Sequence, residues 1–278
     1  MFQYIIYEDG QTIEELLRDY WRLGKKQIHE LRMNKAVYKD GEPTMWKTEQ
    51  PKGTELTFMV TAPSSNYKPA HDSSGIKIRY EDEHCLIVSK PKGMATHPNS
   101  PTDTKTCMNY VMAHITANGG TYAEHVHRLD QGTEGLLLVA KHPIAKSVMD
   151  RMIEEKTITR IYEAEVQGRV RGEEGTVNAA IGKDRHHNTR RVVAPYGQHA
   201  VTHYTVVGRR QGSTFVELKL ETGRTHQIRV HMAHLGHPIV GDTLYNARET
   251  EDGDYSLHAI RLEFFHPFLN EFIIVSDK

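Results

Sequence analysis

The chain has 278 residues, with 35 Lys and Arg against 36 Asp and Glu, a formal net charge of −1 and 38% hydrophobic content. That composition describes one large or two ordinary globular domains and excludes a disordered chain. No stretch approaches the roughly 18 apolar residues of a membrane span, the opening MFQYIIYEDG lacks a basic signal segment, and two cysteines exclude a disulfide framework, so a cytoplasmic protein without membrane contact is expected.

In chain order, TIEELLRDYWRLGKKQIHEL (12–31) carries apolar residues at helical spacing. Thr12 followed by Glu15 is a capping-box signature, and Gly24 divides the segment into two helices. AVYKDGEPTMW and GTELTFMV supply strands, completing a small module over residues 1–61. Residues 62–75, APSSNYKPAHDSSG, have the composition of a linker. The remainder, 76–278, alternates strands with a few helices: TKTCMNYVMAHITANGG and PIAKSVMDRMIEEK are helical, whereas LLLVA, TRIYEAEVQGRV, the run from HAVTHY to LETG, and SLHAIRLEFFHPFLNEFIIV are strands. With no regular βαβ period, the expected fold is α+β, a largely antiparallel mixed sheet with flanking helices.

The even charge balance confines any cationic surface to local runs. KDRHHNTRR (183–191) has four cations and one acid, a balance of +3, and GRTHQIRVHMAH (223–234) has two arginines and no acid. The spacing HVHRLD invites a metallo-hydrolase reading, but that pattern needs an acid where Leu129 stands, and no H-E-x-x-H or paired C-x-x-C occurs. A G-x-S-x-G nucleophile elbow and the Gly-rich phosphate loops are equally absent. What remains is Asp130 in HVHRLDQGTEGLLLVAK (125–141), set between cations and an apolar strand, either as a turn residue or as a positioned acid.

The segment HRLDQGTEGLLLVAK resembles the His-Arg-Leu-Asp-x-x-Thr-Ser-Gly-Leu signature of the RluA-type pseudouridine synthases. The resemblance extends to YEDEHCLIVSKPKGMATHP (80–98), KTITRIYEAEVQG (156–168) and LETGRTHQIRVHMAHLGHPIVGDTLY (220–245), in the same order along residues 76 to 268. The first 61 residues are similar to the small S4-type RNA-binding domain. Glu134 departs from the pattern, standing where the family usually has Ser, and Gln131-Gly132 replaces a charged-polar pair.

The resemblance implies an enzyme that isomerises uridines of ribosomal or transfer RNA to pseudouridine, acting as a monomer with no cofactor and no metal. It implies Asp130 as the catalytic carboxylate, Tyr162 stacked on the flipped base and Arg224 as the cation holding Asp130 ionised. Arg128 would occupy the gap left by the flipped base. Ile228 would wall the base from behind, with Leu244 competing for that role. Arg229 and the 183–191 run would track the RNA backbone, and His127 and Thr133 would also contact the RNA. Lys25 and Lys26 would form an RNA face on the N-terminal module. The competing reading is a non-catalytic RNA-binding or ribosome-assembly protein on the same fold, for which an acid at position 130 has no use.

Overall fold

The computed structural model describes residues 1–100, 102–250 and 253–277. The N-terminal module holds strands β1 (Phe2–Ile5), β2 (Gln11–Thr12), β3 (Val37–Lys39), β4 (Glu42–Pro43), β5 (Glu49–Gln50) and β6 (Glu55–Phe58) with helices α1 (Ile13–Glu15) and α2 (Lys25–Met33). Thr12 forms the expected capping box with Glu15, and Gly24 is the N-cap of α2 after a π-helical turn at Leu16–Tyr20. Asp40 and Gly41 both take positive φ between β3 and β4, as a tight hairpin turn requires.

Residues 62–75 contain no helix or strand, yet they do not hang free. Ser65 bonds to the carbonyls of Thr121 and Ala123, the Tyr67 hydroxyl lies 3.0 Å from His125 Nδ1, and Ala70 and Lys68 bond to Asn109. The segment is stitched along the larger body.

That body contains strands β7 (Lys77–Glu81), β8 (Cys85–Lys90), β9 (Glu124–His125), β10 (Glu134–Ala140), β11 (Thr159–Gln167), β12 (Glu174–Asn178), β13 (Ile181–Lys183), β14 (Arg191–Val193), β15 (Val201–Arg210), β16 (Ser213–Leu220), β17 (Leu257–His266) and β18 (Glu271–Ser276). Helices α3 (Cys107–Ala117), α4 (Pro143–Glu154) and α5 (Gln227–His234) flank them. Ten strands form one sheet along the path β12-β15-β16-β11-β17-β10-β8-β7, with β18 on β17 and β9 on β10. Every pairing in it is antiparallel except β10 with β17. The fold is therefore the α+β, largely antiparallel arrangement that the strand pattern implies.

The parallel contact is short, Glu134 opposite His258 and Gly135 opposite Ala259, and it sits where β10 emerges from the Asp130 turn. Gly135 has φ +106°, and a Cβ there would lie 2.3 Å from the Ala259 carbonyl oxygen. Only glycine lets the two strands approach this closely, which fixes where the turn opens.

The module and the sheet share a hydrophobic core in which Phe2, Trp21 and Phe58 pack with Ile144, Met149, Phe264 and Phe268. Histidines are built into this joint. The Phe2 ring stacks on His142 at 4.4 Å, Phe268 stacks on His84 at 4.3 Å, and His84 Nδ1 lies 3.0 Å from His142 Nε2. Nearby, the Nδ1 atom of His266 accepts the backbone N–H groups of Phe268 and Leu269, while its Nε2 faces Asp82 Oδ2 at 3.1 Å.

Burial lowers the pKa of His84 to about 4, pushes His142 well below its ordinary value, and, helped by Arg160, lowers His127 to about 3. In the unfolded chain these imidazoles take up protons near pH 6.5, whereas the folded protein binds fewer. Stability is therefore lost as the pH falls from about 6.5 toward 4. For three such groups the slope reaches at most about 4 kcal/mol per pH unit. Urea titrations at pH 7 and pH 5 check this: a midpoint that does not fall at the lower pH contradicts the buried-neutral assignment.

Candidate active site

Asp130 closes a tight turn in which the Thr133 N–H donates to the Asp130 carbonyl at 3.0 Å. The turn is held from three directions. Thr96 Oγ1 donates to the Leu129 carbonyl at 2.7 Å and accepts the Leu129 N–H at 3.1 Å. Lys90, fully buried at the end of β8, donates from Nζ to the carbonyls of Pro91, Met94 and Gln131 at 2.7 to 3.1 Å. Burial brings the Lys90 pKa down to about 8, with the acidic groups of Cys107, Asp130, Glu134 and Asp254 opposing the fall, so the ammonium is retained at neutral pH. Gly132 makes room for Tyr255, whose ring a Cβ at this position would meet at 2.7 Å.

The Asp130 carboxylate lies at the junction of two cavities. The larger, about 520 Å³, is lined by Arg128, Leu129, Asp130, Arg160, Tyr162, Gly223, Arg224, Ile228 and Leu257, among others. A second opening, lined by His97, Arg128, Gln131, Asp242 and Tyr255, also reaches Asp130. A volume of this size accommodates a single nucleoside.

The cation at Asp130 is Arg229, not Arg224. Arg229 Nη1 lies 3.4 Å from Asp130 Oδ2, and its Nε and Nη2 make a bidentate pair with Asp242 at 2.7 and 2.8 Å. The guanidinium lies over the ring of Tyr255 at 4.4 Å and over that of Tyr245 at 5.1 Å. Burial opposes its charge, but Asp242, Tyr255 and Asp130 outweigh it and hold the pKa above its usual value. Arg229, for which the resemblance implies a place along the RNA backbone, is thus buried and aimed at Asp130. Arg224 is exposed and bonds through Nε to the His199 carbonyl at 3.0 Å. The physical reason is helical: Arg224 precedes α5 in a loop, while Arg229 lies on the inward face of its first turn with Ile228 and Val230 also buried.

Asp242 and Tyr245 were not identified from the sequence as site residues, although both lie in the GHPIVGDTLY segment. An Asp after Gly reads locally as a turn residue, and nothing short of the fold brings it to an arginine thirteen positions earlier.

Tyr162 projects from β11 into the cavity at a break in the β11–β17 register between Ile161 and Tyr162. Such an irregularity re-aims a side chain. Burial raises the Tyr162 pKa, with Asp130 adding to the rise and Arg160 opposing it, so the group is presented as a neutral phenol. Ile228 is buried against Leu129, Tyr162 and Leu257 and lines the cavity. Leu244, the rival for that wall, packs instead with Ile181, Val230 and Tyr245 and faces the second opening.

Arg128 is exposed at the rim shared by both cavities. Thr133 is buried, its Oγ1 3.2 Å from the Tyr255 hydroxyl, and His127 is buried with Nε2 accepting the Leu138 N–H at 3.2 Å. Both line the cavity wall, and the bonds they make shape the strand and turn rather than reach outward. Glu134 does not line the larger cavity. Lys25 and Lys26 are exposed in the first turn of α2 in the N-terminal module.

Comparison with known proteins identifies the family. Residues 84–234 match the family model described as RNA pseudouridylate synthase, and residues 2–56 match the RluD ribosomal pseudouridine synthase N-terminal domain. The chain is 39% identical over 270 residues to an uncharacterized RNA pseudouridine synthase of Bacillus subtilis (strain 168), covering 96% of this chain and 89% of that protein. It is 36% identical over 277 residues to ribosomal large subunit pseudouridine synthase D of Vibrio parahaemolyticus, covering 94% and 84% respectively. Among solved structures, human RNA pseudouridylate synthase domain containing 1 superposes with a TM-score of 0.60 at 26% identity, over 74% of this chain and 84% of that one. The chain belongs to the RNA pseudouridine synthase family and is an isomerase that acts on RNA.

Proposed function

We propose that the enzyme isomerises uridines of large-subunit ribosomal RNA, with Asp130 as the reacting carboxylate, Arg229 as its charge partner and Tyr162 as the stacking platform for the flipped base. The observation that carries this reading is the Arg229 clamp, which aims one guanidinium N–H at Asp130 within a nucleoside-sized cavity. The reaction breaks the N1–C1′ bond, rotates the base and joins C5 to C1′, with the C5 proton leaving and N1 regaining one. No redox equivalent is consumed. Attack at C1′, attack at C6 and removal of the C2′ proton are the routes open to a lone carboxylate, and each requires it ionised. An arginine held by a second acid supplies that condition without being able to give up its own proton.

The uridine must leave its stack to reach Asp130. Arg128 stands exposed at the rim, where a guanidinium can fill the vacated stacking position. A neutral Tyr162 ring suits stacking on uracil. The RNA path then continues into an adjoining cavity of about 390 Å³, lined by Lys183, Arg191, Arg224 and Tyr196 with no acidic residue among its lining. Arg224 and Thr225 line both cavities. Arg224, released from any role at Asp130, becomes a phosphate ligand between them.

The N-terminal module, with Lys25 and Lys26 exposed, is the additional RNA contact of a monomeric enzyme working in the cytoplasm. Ribosomal RNA is favoured over transfer RNA because matches cover both the N-terminal module and the larger body of relatives named for the large ribosomal subunit.

The substrate is tested by mapping pseudouridines in ribosomal and transfer RNA from cells lacking this gene, before and after treatment with the purified protein. Restoration of pseudouridine in large-subunit RNA is the expected result. Restoration in transfer RNA alone would contradict the assignment.

A further inference from the structure

His226 occupies a left-handed backbone conformation, φ 59°, at the N-cap of α5. A non-glycine residue there costs on the order of 1 kcal/mol, so an imidazole is retained at the expense of backbone ease. The ring stands between two groups. Tyr245 Oη lies 2.9 Å from Nδ1, and Asp130 Oδ2 lies 3.8 Å from Nε2.

The direction of the hydroxyl follows from a third contact. Tyr245 Oη accepts the backbone N–H of Arg191 at 3.1 Å. With an N–H already pointed at its oxygen, the phenol directs its single proton at His226 Nδ1. Nδ1 is then the acceptor, and the imidazole proton resides on Nε2, facing Asp130. Burial lowers the His226 pKa, the Asp130 charge offsets this only in part, and Arg229 lowers it further. The ring is therefore a neutral donor that leaves the Asp130 charge to Arg229.

We propose that His226 is a positioning residue of the catalytic centre: its Nε2–H, oriented by Tyr245, closes on Asp130 Oδ2 when the uridine enters and holds the carboxylate in its reacting orientation. This rests on Asp130 being the reacting carboxylate. A separation of 3.8 Å is long for a hydrogen bond, and such contacts commonly tighten only in the substrate complex. The chain of contacts begins at the backbone N–H of Arg191, a residue that lines the cationic cavity. Seating of RNA there is thus connected to Asp130 through Tyr245 and His226.

The test compares wild type with His226→Asn, His226→Gln, Tyr245→Phe and Asp130→Asn. Tritium release from C5-labelled large-subunit ribosomal RNA gives kcat and KM, and thermal unfolding gives the midpoint of each variant. His226→Asn carries its amide only as far as the Nδ1 position, places no donor at the Nε2 position and is expected to lower kcat roughly 10- to 100-fold, the range of one hydrogen bond to a charged group, with KM and midpoint little changed. His226→Gln carries an amide N–H near the Nε2 position and is expected to recover most of that loss. Tyr245→Phe frees the imidazole tautomer and is expected to lower kcat several-fold with KM unchanged. Wild-type kcat in His226→Asn overturns the proposal, and so does an equal loss in the Asn and Gln variants accompanied by a lowered midpoint. Full activity in Asp130→Asn would instead overturn the reading of Asp130 on which the proposal stands.

Discussion

Asp130→Asn is expected to lower turnover of uridine by at least about a thousandfold, the scale on which a nucleophile or general base acts, while the unfolding midpoint stays near that of wild type. The substitution is nearly isosteric. It keeps the backbone turn, because the Thr133 N–H and the Lys90 ammonium bond to main-chain carbonyls and not to the carboxylate. It removes the negative charge that faces Arg229 Nη1. RNA binding should persist, since the arginines and lysines that line the cavities are untouched. Single-turnover kinetics beside filter binding separate the two effects. Parallel loss of binding and turnover would mean that Asp130 serves to hold the RNA-binding surface together.

The second large effect is expected at Arg229. Arg229→Ala strands Asp242, which is 1% exposed and accepts two hydrogen bonds from this guanidinium. Removing one partner of a buried ion pair typically costs about 3–5 kcal/mol, so the variant should unfold at markedly lower temperature or urea concentration. Turnover should be lost as well, because Asp130 loses its nearest cation. Arg224→Ala, by contrast, removes an exposed side chain whose Nε bonds one carbonyl. It should leave the midpoint within about 0.5 kcal/mol of wild type and act on KM for RNA more than on kcat. The pair of variants decides which arginine serves Asp130. A stable, active Arg229→Ala beside an inactive Arg224→Ala would reverse the assignment.

Much of this architecture was legible in the sequence because local rules and the fold agree. The capping box at Thr12, the Gly24 break, the Pro143 start of α4 and the apolar run of β10 each form where their residue types require. Asp130 stands out in the sequence for a related reason: a carboxylate between a cationic run and a buried strand has few structural uses. The sequence alone does not separate Arg229 from Arg224 as the neighbour of Asp130, because both are arginines of the same segment, GRTHQIRVH, five residues apart. The difference lies in the face each presents once α5 begins, and α5 begins with His226 in a left-handed conformation that no periodicity signals. Asp242 was missed for a more general reason. Its partnership with Arg229 is tertiary, and an Asp after Gly gives only a turn signal on its own. The shared core between the N-terminal module and the sheet was likewise hidden. Phe2, His142 and Phe268 are far apart in sequence, and the polar 62–75 segment suggested a looser joint than the packing shows.

The most direct test of the central claim is tritium release from uridine C5 in ribosomal RNA purified from cells lacking this gene, with wild type and Asp130→Asn assayed side by side. The C5 hydrogen is lost only once the new carbon–carbon bond to C1′ has formed, so the signal reports the isomerisation itself. Release by wild type and none by Asp130→Asn is the result this account predicts. Equal release by both would contradict the assignment of Asp130 as the reacting carboxylate, and release by neither, with RNA binding intact, would contradict ribosomal RNA as the substrate.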